Sequence, residues 1–314
     1  MPLNSKSDGL LWTIESLRRP TPDRLLADVR LAVLGDPVGH SLSPEMHNAG
    51  LAARALPFRY TRLWIKSGEL AEAFSLLREQ EFIGWNLTVP HKVAACGLVD
   101  EIDPAAARIG AINTVVNRSG NLIGFNTDGF GLIAALRESF SLDFGNSRIA
   151  VLGAGGGAGM TAAIFLLDEN PRQLLLVNRT LAKLDRLRSA IGNDGRVSFW
   201  AWEQLNEVFG QADLIINASS AGLEGHALDW DARWLSRHHR VFDMVYGEKP
   251  TPVVSWAVAA GASAIDGAPM LLHQGTAAFR HWFGRPVPET AMREALYQKL
   301  GARITKSDQS QAEL

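Results

Sequence analysis

Arg148-Ile149-Ala150-Val151-Leu152, followed at once by Gly153-Ala154-Gly155-Gly156-Gly157-Ala158, is the stretch on which the fold turns. The first five residues read as a buried strand, and Met160–Leu167 beyond the glycines reads as an apolar helix. A strand, a glycine turn and a helix in that order form the dinucleotide-binding unit. Backbone N–H groups at the helix N-terminus face a pyrophosphate, and the missing side chains let the phosphates approach. A glycine run alone also makes ordinary tight turns, so it is the order of elements that carries the reading.

The next strand, Leu174–Val177, ends in Asn178-Arg179-Thr180, with Lys183 shortly after. An acid at that strand end would hold the ribose hydroxyl of NAD. A guanidinium instead matches a 2′-phosphate in charge and geometry, which points to NADP. A solvated surface turn is the plainer alternative for these cations. Leu214–Asn217 and Arg240–Val245 supply later strands, and Met270–Phe283 and Glu289–Leu300 read as helices.

Before the glycine turn, strands and helices also alternate. Leu31–Leu34 runs into a turn at Gly35-Asp36-Pro37, and Ser43-Pro44 opens a helix with Ser43 as N-cap and Pro44 at the first helical position. Phe58–Ile65 and Phe82–Val89 are expected as strands, and Glu69–Glu79, His91–Leu98 and Phe130–Phe140 as helices. Ala111–Val116 and Leu122–Phe125 flank a hairpin turn over Asn117–Gly120. The alternation predicts an α/β fold of two domains with mostly parallel sheets, this hairpin being the exception. Residues 1–30 read as a helical or irregular extension punctuated by Pro20 and Pro22.

A chain of 314 residues with 46% hydrophobic and 20% charged residues is sized for two globular domains. Its 31 basic and 33 acidic residues give a net charge of −2, which offers no footprint for nucleic acid or an anionic membrane surface. No run approaches the roughly 18 apolar residues of a membrane helix. Charges break up the first residues where a signal peptide would need an apolar core. A single cysteine, Cys96, excludes an intrachain disulfide. The expectation is a cytoplasmic enzyme, monomeric or homodimeric, whose partner is a small molecule.

Polar clusters in the first half sit where strands end or helices begin, the place where open α/β sheets hold ligands. They are Ser41-Leu42-Ser43, Asn86 to Lys92, Ala111-Ile112-Asn113-Thr114 and Asn126-Thr127-Asp128, with Gln274 near the chain end. Ser43 and Asp128 also fit as plain helix caps. Two serine hydroxyls at a helix N-terminus suit a carboxylate. Lys92 stands at an expected helix start, an unfavourable place for a cation beside the macrodipole, which argues for function. Hydride transfer to a carbonyl needs a proton donor beside the oxygen, and Lys and Asp both serve. His40, His47 and His91 lack the spacing of a metal site, so no metal is expected. Cys96 and the tryptophans Trp64, Trp85, Trp202, Trp230, Trp234, Trp256 and Trp282 read as packing residues.

Taken in order, Gly35-Asp36-Pro37-Val38-Gly39-His40-Ser41-Leu42-Ser43-Pro44, Asn86-Leu87-Thr88-Val89-Pro90-His91-Lys92, Gly110-Ala111-Ile112-Asn113-Thr114, Asn126-Thr127-Asp128-Gly129, Asn178-Arg179-Thr180, Asp243-Met244-Val245-Tyr246 and Gly267-Ala268-Pro269-Met270-Leu271-Leu272-His273-Gln274 resemble the signatures of the shikimate dehydrogenase family. The resemblance runs from about Leu31 to beyond Gln274. It implies NADPH-dependent, reversible reduction of 3-dehydroshikimate to shikimate, a step toward chorismate and the aromatic amino acids. It implies a substrate-binding domain over residues 31–126 and 267–314, to which the C-terminal helices return, and a Rossmann NADP-binding domain over 127–266. By the same resemblance Ser41 and Ser43 bind the substrate carboxylate, with Tyr246 near that end. Thr88, Asn113 and Gln274 hold ring hydroxyls, and Lys92 with Asp128 forms the catalytic pair. On the cofactor side Gly153, Ala154, Gly155, Gly156, Gly157 and Ala158 line the pyrophosphate, and Asn178, Arg179, Thr180 and Lys183 face the 2′-phosphate.

The chain departs from the family pattern in places. Gly159 stands where many members carry a basic residue, which reads as a lost phosphate contact. The segment after Tyr246 lacks an early proline, and Ala268-Pro269 replaces commoner residues. The alternatives to be separated are a broad-specificity quinate/shikimate dehydrogenase using NAD or NADP, a folate-linked dehydrogenase, and a non-catalytic NADP-binding regulator. Loss of Lys92 or Asp128 would mark the regulator, and both are present.

Overall fold

The computed structural model describes residues 11–19, 28–219 and 230–301. They form two compact units, Met1–Thr127 with Gly275–Leu314, and Asp128–Gln274. The first contains β1 (Leu11–Thr13), α1 (Ile14–Arg18), β2 (Val29–Gly35), α2 (Ser43–Ala53), β3 (Arg59–Trp64), α3 (Leu70–Glu79), β4 (Gly84–Leu87), β5 (Glu101–Ile102), α4 (Pro104–Ile109), β6 (Thr114–Arg118) and β7 (Asn121–Phe125). The second contains α5 (Asp128–Phe140), β8 (Arg148–Leu152), α6 (Gly157–Asp168), β9 (Gln173–Asn178), α7 (Asp185–Ile191), β10 (Val197–Ala201), α8 (Leu205–Gln211), β11 (Leu214–Asn217), β12 (Arg240–Asp243), α9 (Pro252–Ala259) and β13 (Ser263–Ile265). Helix α10 (Ala268–Phe283) crosses the division, and α11 (Glu289–Lys299) belongs to the first unit.

The second unit is built on a six-stranded sheet in the order β10-β9-β8-β11-β12-β13, parallel throughout. That order, with the first strand of the unit third from the edge, is the doubly wound dinucleotide-binding topology. Ile149–Leu152, Leu174–Asn178 and Leu214–Asn217 are buried without a break, as strands covered on both faces must be. The core is made by residues such as Ala150, Leu152, Leu175, Val177, Phe209 and Val241.

The first unit is built on a seven-stranded sheet in the order β1-β3-β2-β4-β6-β7-β5. Strands β1 to β4 pair in parallel, β6 is antiparallel to both β4 and β7, and β5 pairs with β7 in parallel. The hairpin is tighter than the sequence suggests. Arg118 pairs with Asn121, leaving only Ser119 (φ 54°) and Gly120 (φ 92°) in the turn. Two positive φ values in a two-residue loop give the twist a hairpin needs. The stretch read as an extension contributes β1, an edge strand beside β3, so residues 11–18 belong to this fold.

Two local expectations are corrected. Ser43 is the first residue of α2, not its cap; Leu42 holds the cap position, and the Ser41 side chain accepts a bond from the Ser43 N–H at 3.3 Å. Residues 91–98 do not form an α-helix but turns and one 3-10 turn, Ala94–Gly97. The reason lies in the backbone: the Lys92 carbonyl accepts from Ile112 N at 2.9 Å, while Cys96 N donates to Val93 O, one residue short of helical spacing. Cys96 itself is half-buried. Among the described residues no helix is long and apolar enough to cross a membrane.

His47 on α2 is fully buried, stacked on Tyr60 at 4.5 Å between ring centroids. Its ring nitrogens make no hydrogen bond among the described residues, and burial pushes its pKa down to about 3 from 6.5. The fold therefore holds it neutral. This contribution to stability is complete above pH 6.5 and is lost as pH falls from there toward 3. The loss is up to about 1.4 kcal/mol per pH unit for one such group. His47→Leu is expected to unfold with a visibly flatter acid limb than the parent in denaturant titrations across that range; identical slopes would contradict a neutral buried imidazole.

Candidate active site

In the first unit, β2 and β4 lie side by side and deliver their C-terminal loops to one end of the sheet. The β2 loop carries Ser41 and leads into Ser43 at the start of α2, and the β4 loop carries Thr88 and Lys92. Thr88 N donates to Leu34 O at 2.9 Å, which fastens the second loop to β2. Lys92 is half-buried, its carbonyl pinned to Ile112, and Asn113 follows one residue later. Ser41, Ser43, Thr88, Lys92 and Asn113 are thus all held on this one sheet end.

A buried polar relay joins several of these positions. The Tyr60 hydroxyl on β3 donates to the Asn86 carboxamide oxygen at 2.7 Å. Asn86 donates to Thr114 Oγ1 at 2.9 Å, and Thr114 donates to Asn113 Oδ1 at 3.0 Å. Asn113 Oδ1 also accepts the Thr127 backbone N–H at 2.7 Å, fixing the residue just before Asp128. Burial holds the Tyr60 phenol well above its ordinary pKa, against the smaller opposing effects of Ser43 and the Arg62 charge. Arg62 lies beneath the serine loop, donating to Ser41 O at 2.6 and 2.9 Å and pairing with Glu45 at 2.7 Å. Tyr60 and Arg62 lie outside the polar clusters read from the sequence, and Asn86 and Thr114 stand in those clusters without a role of their own. A polar Asn86 inside the otherwise apolar strand Gly84–Leu87 is the signal that could have marked the relay. Tyr60→Phe leaves the Asn86 oxygen buried without this donor, at a cost of about 1–3 kcal/mol. Chemical denaturation should show that loss, and an unchanged midpoint would contradict the relay.

In the second unit, Asp128 opens α5. Gln274, on α10, is buried and packs on the first turn of that helix: a Cβ at Gly131 would lie 2.8 Å from its backbone nitrogen. Tyr246 is half-buried after β12, where Asp243 accepts from Asn217 at 2.9 Å, Thr251 at 2.6 Å and Val245 N at 3.2 Å. Burial raises the Asp243 carboxyl pKa in spite of those donors.

The glycine turn joins β8 to α6. Gly156, Gly157 and Ala158 are exposed at the helix N-terminus, and nothing lies within 4 Å of where a Gly157 side chain would begin. Gly153 and Gly155 are half-exposed, and Ala154 is buried. A Cβ at Gly155 would come within 2.7 Å of Lys183 Cβ, so a side chain there would push away the 178–183 loop. Asn178 ties the two loops together, accepting from Gly155 N at 3.2 Å and donating to Thr180 O at 2.8 Å. Arg179, Thr180 and Lys183 are exposed beside it. A Cβ at Gly159 would overlap the Gly153 carbonyl oxygen, whereas Ala158 points outward. Gly159 is therefore the residue that lets the helix close on the strand, and its place offers no room for a basic side chain.

His40 is exposed, and His91 is buried with Nε2 bonded to Ile65 O at 2.7 Å. Among the described residues no three of His, Cys, Asp and Glu gather as a metal site.

The family model described as the shikimate dehydrogenase substrate binding domain matches residues 33–115. The shikimate/quinate 5-dehydrogenase model matches 135–224, and the shikimate 5′-dehydrogenase C-terminal domain model matches 267–297. An NADP-dependent shikimate dehydrogenase of Moorella thermoacetica is 38% identical over 280 residues, covering 87% of this chain and 94% of its own. The crystal structure of shikimate dehydrogenase from Aquifex aeolicus superposes with a TM-score of 0.79 at 32% identity, over 85% of this chain and 97% of that one. The Thermus thermophilus enzyme, solved with NADP(H) and shikimate, gives 0.76 at 35% identity over 86% and 99%.

Proposed function

The chain belongs to the shikimate dehydrogenase family, and from that premise we infer that it is an NADP-dependent shikimate dehydrogenase, reversibly reducing 3-dehydroshikimate to shikimate. The observation that carries the reading beyond likeness is that the chain holds two built sites, one in each unit. One is a sheet end holding Ser41, Ser43, Thr88, Asn113 and Lys92. The other is an exposed glycine-turn helix N-terminus with Arg179 and Lys183 at the neighbouring strand end. The donor set fits NADP: N–H groups for the pyrophosphate and cations for a 2′-phosphate. When bound, reduced nicotinamide supplies the hydride.

The residues of the chain do the rest. Ser41 and Ser43, at the N-terminus of α2, take the carboxylate, and their hydroxyls rotate freely to meet it. Tyr246 stands toward that end. Thr88, Asn113 and Gln274 position the ring hydroxyls. The Lys92 ammonium gives its proton to the carbonyl oxygen as the carbon takes the hydride, and takes it back in the oxidative direction. Asp128 is its acid–base partner. Gly153 to Ala158 receive the pyrophosphate, and Asn178, Arg179, Thr180 and Lys183 the adenosine 2′-phosphate. The enzyme acts in the cytoplasm, as a monomer or homodimer.

The test is to incubate the purified chain with 3-dehydroshikimate and NADPH and to identify the product by chromatography. Stoichiometric shikimate is expected. NADPH consumption without shikimate, or no consumption, overturns the reading.

A further inference from the structure

Alternation along β3 turns Tyr60, Arg62 and Trp64 to one face of the sheet. Each of the three reaches the connection between β2 and α2 or the helix itself. Tyr60 stacks on His47 of α2. Arg62 donates to the Ser41 carbonyl from Nε at 2.9 Å and from Nη2 at 2.6 Å, and Nη2 also meets the Glu45 carboxylate at 2.7 Å. Trp64 Nε1 donates to Asp36 Oδ1 at 2.6 Å. The loop that carries Ser41 is thus gripped at its start and again just before α2, by two side chains of one strand. β3 is itself held on both sides: Arg62 stands opposite Val33 of β2 and Leu11 of β1, and Trp64 opposite Gly35 and Thr13. Arg62 is only 7% exposed, so the inner grip is made by a buried cation.

We propose that Arg62 is a positioning residue for carboxylate recognition, holding the Ser41 main chain so that the Ser41 and Ser43 hydroxyls meet the substrate together; this rests on the reading that those serines take the carboxylate. A guanidinium suits the task. Its planar fork aims N–H groups in fixed directions, so one side chain spans a carbonyl and a carboxylate at once. Glu45 answers its charge, so what Arg62 gives the loop is a fixed position. Stability alone does not call for it, because an apolar residue of similar volume commonly replaces a buried ion pair without loss. The Ser41 hydroxyl accepts the Ser43 N–H at 3.3 Å, so a displaced Ser41 disturbs both serines. Fixing the loop beforehand also removes part of the ordering cost when substrate arrives.

The experiment is initial-rate kinetics of the full chain with shikimate and NADP, with a fluorescence titration of NADPH on the same preparations. The variants are Arg62→Met, Arg62→Lys, Glu45→Gln and the double variant Ser41→Ala with Ser43→Ala. Arg62→Met is expected to raise KM for shikimate about ten- to a hundred-fold, the effect of misplacing a positioning group by roughly 1 Å. Its kcat should stay within about three-fold of the parent, as for a loss of uniform binding, and its NADPH affinity should not change. A general loss of folded protein lowers kcat and leaves KM alone, so the split separates the two. Arg62→Lys keeps the charge beside Glu45 without the fork; it should raise KM about three-fold or more, and it decides the matter if the methionine variant does not fold. Glu45→Gln leaves both bonds to the Ser41 carbonyl in place and should keep KM near the parent value. A KM unmoved by the Arg62 variants, or raised as much by Glu45→Gln, while the serine variant raises it, overturns the role of Arg62 and leaves the carboxylate site standing. So does a fall in kcat at unchanged KM. A KM unmoved by the serine variant overturns the carboxylate reading beneath it.

Discussion

Lys92→Ala is expected to lower kcat by about two to four orders of magnitude, the usual worth of a positioned proton donor, while NADPH binds with near-native affinity. The reasoning starts from the backbone. The Lys92 segment is fixed through its carbonyl, which accepts from Ile112, and through Ala95 N donating to His91 O. Alanine keeps both bonds, so the variant removes the ammonium and little else. The residues assigned to the cofactor all lie in Asp128–Gln274, whereas Lys92 lies in the other unit. Binding and turnover should therefore separate. Stopped-flow rates and a fluorescence titration on one preparation check both halves. Turnover near the parent value would remove Lys92 from the chemistry.

Arg179→Ala should weaken NADP by about ten- to a hundred-fold and leave NAD almost untouched. Loss of hydrogen bonds to a charged group costs about 1.5–3 kcal/mol, which converts to that range. Exposed Lys183 stays to offer part of the charge, so binding is not abolished. Dissociation constants for both cofactors decide the matter, and equal losses would remove the 2′-phosphate assignment.

Elements buried on both faces were the legible ones. Arg148–Leu152 and Leu214–Asn217 are observed with the bounds expected of them, because a parallel strand under helices is a continuous apolar run. The edges were not legible. β10 is half-buried along its length, β5 has two residues, and β1 lies in a stretch that reads as an extension. Missing β10 also hides the neighbour of Arg179, since only the register of β10 on β9 brings Trp202 beside it. The 91–98 segment looks helical because its apolar residues recur, yet Val89 and Val93 are exposed and a long-range bond from Ile112 holds the lysine carbonyl. Helical periodicity cannot report a partner some twenty residues away. The same limit applies to Tyr60 and Asn86, whose bond joins two different strands. Gly159 looked like a lost phosphate contact and proves to be a packing residue, because the sequence does not show that the Gly153 carbonyl lies against it.

Initial rates of reduced-nicotinamide appearance, with shikimate and quinate each tried against NADP and NAD, test the central claim most directly. The account predicts a strong preference for shikimate with NADP. Comparable rates with quinate or with NAD would contradict the assigned specificity, and no rate in any combination would contradict the assignment as an enzyme.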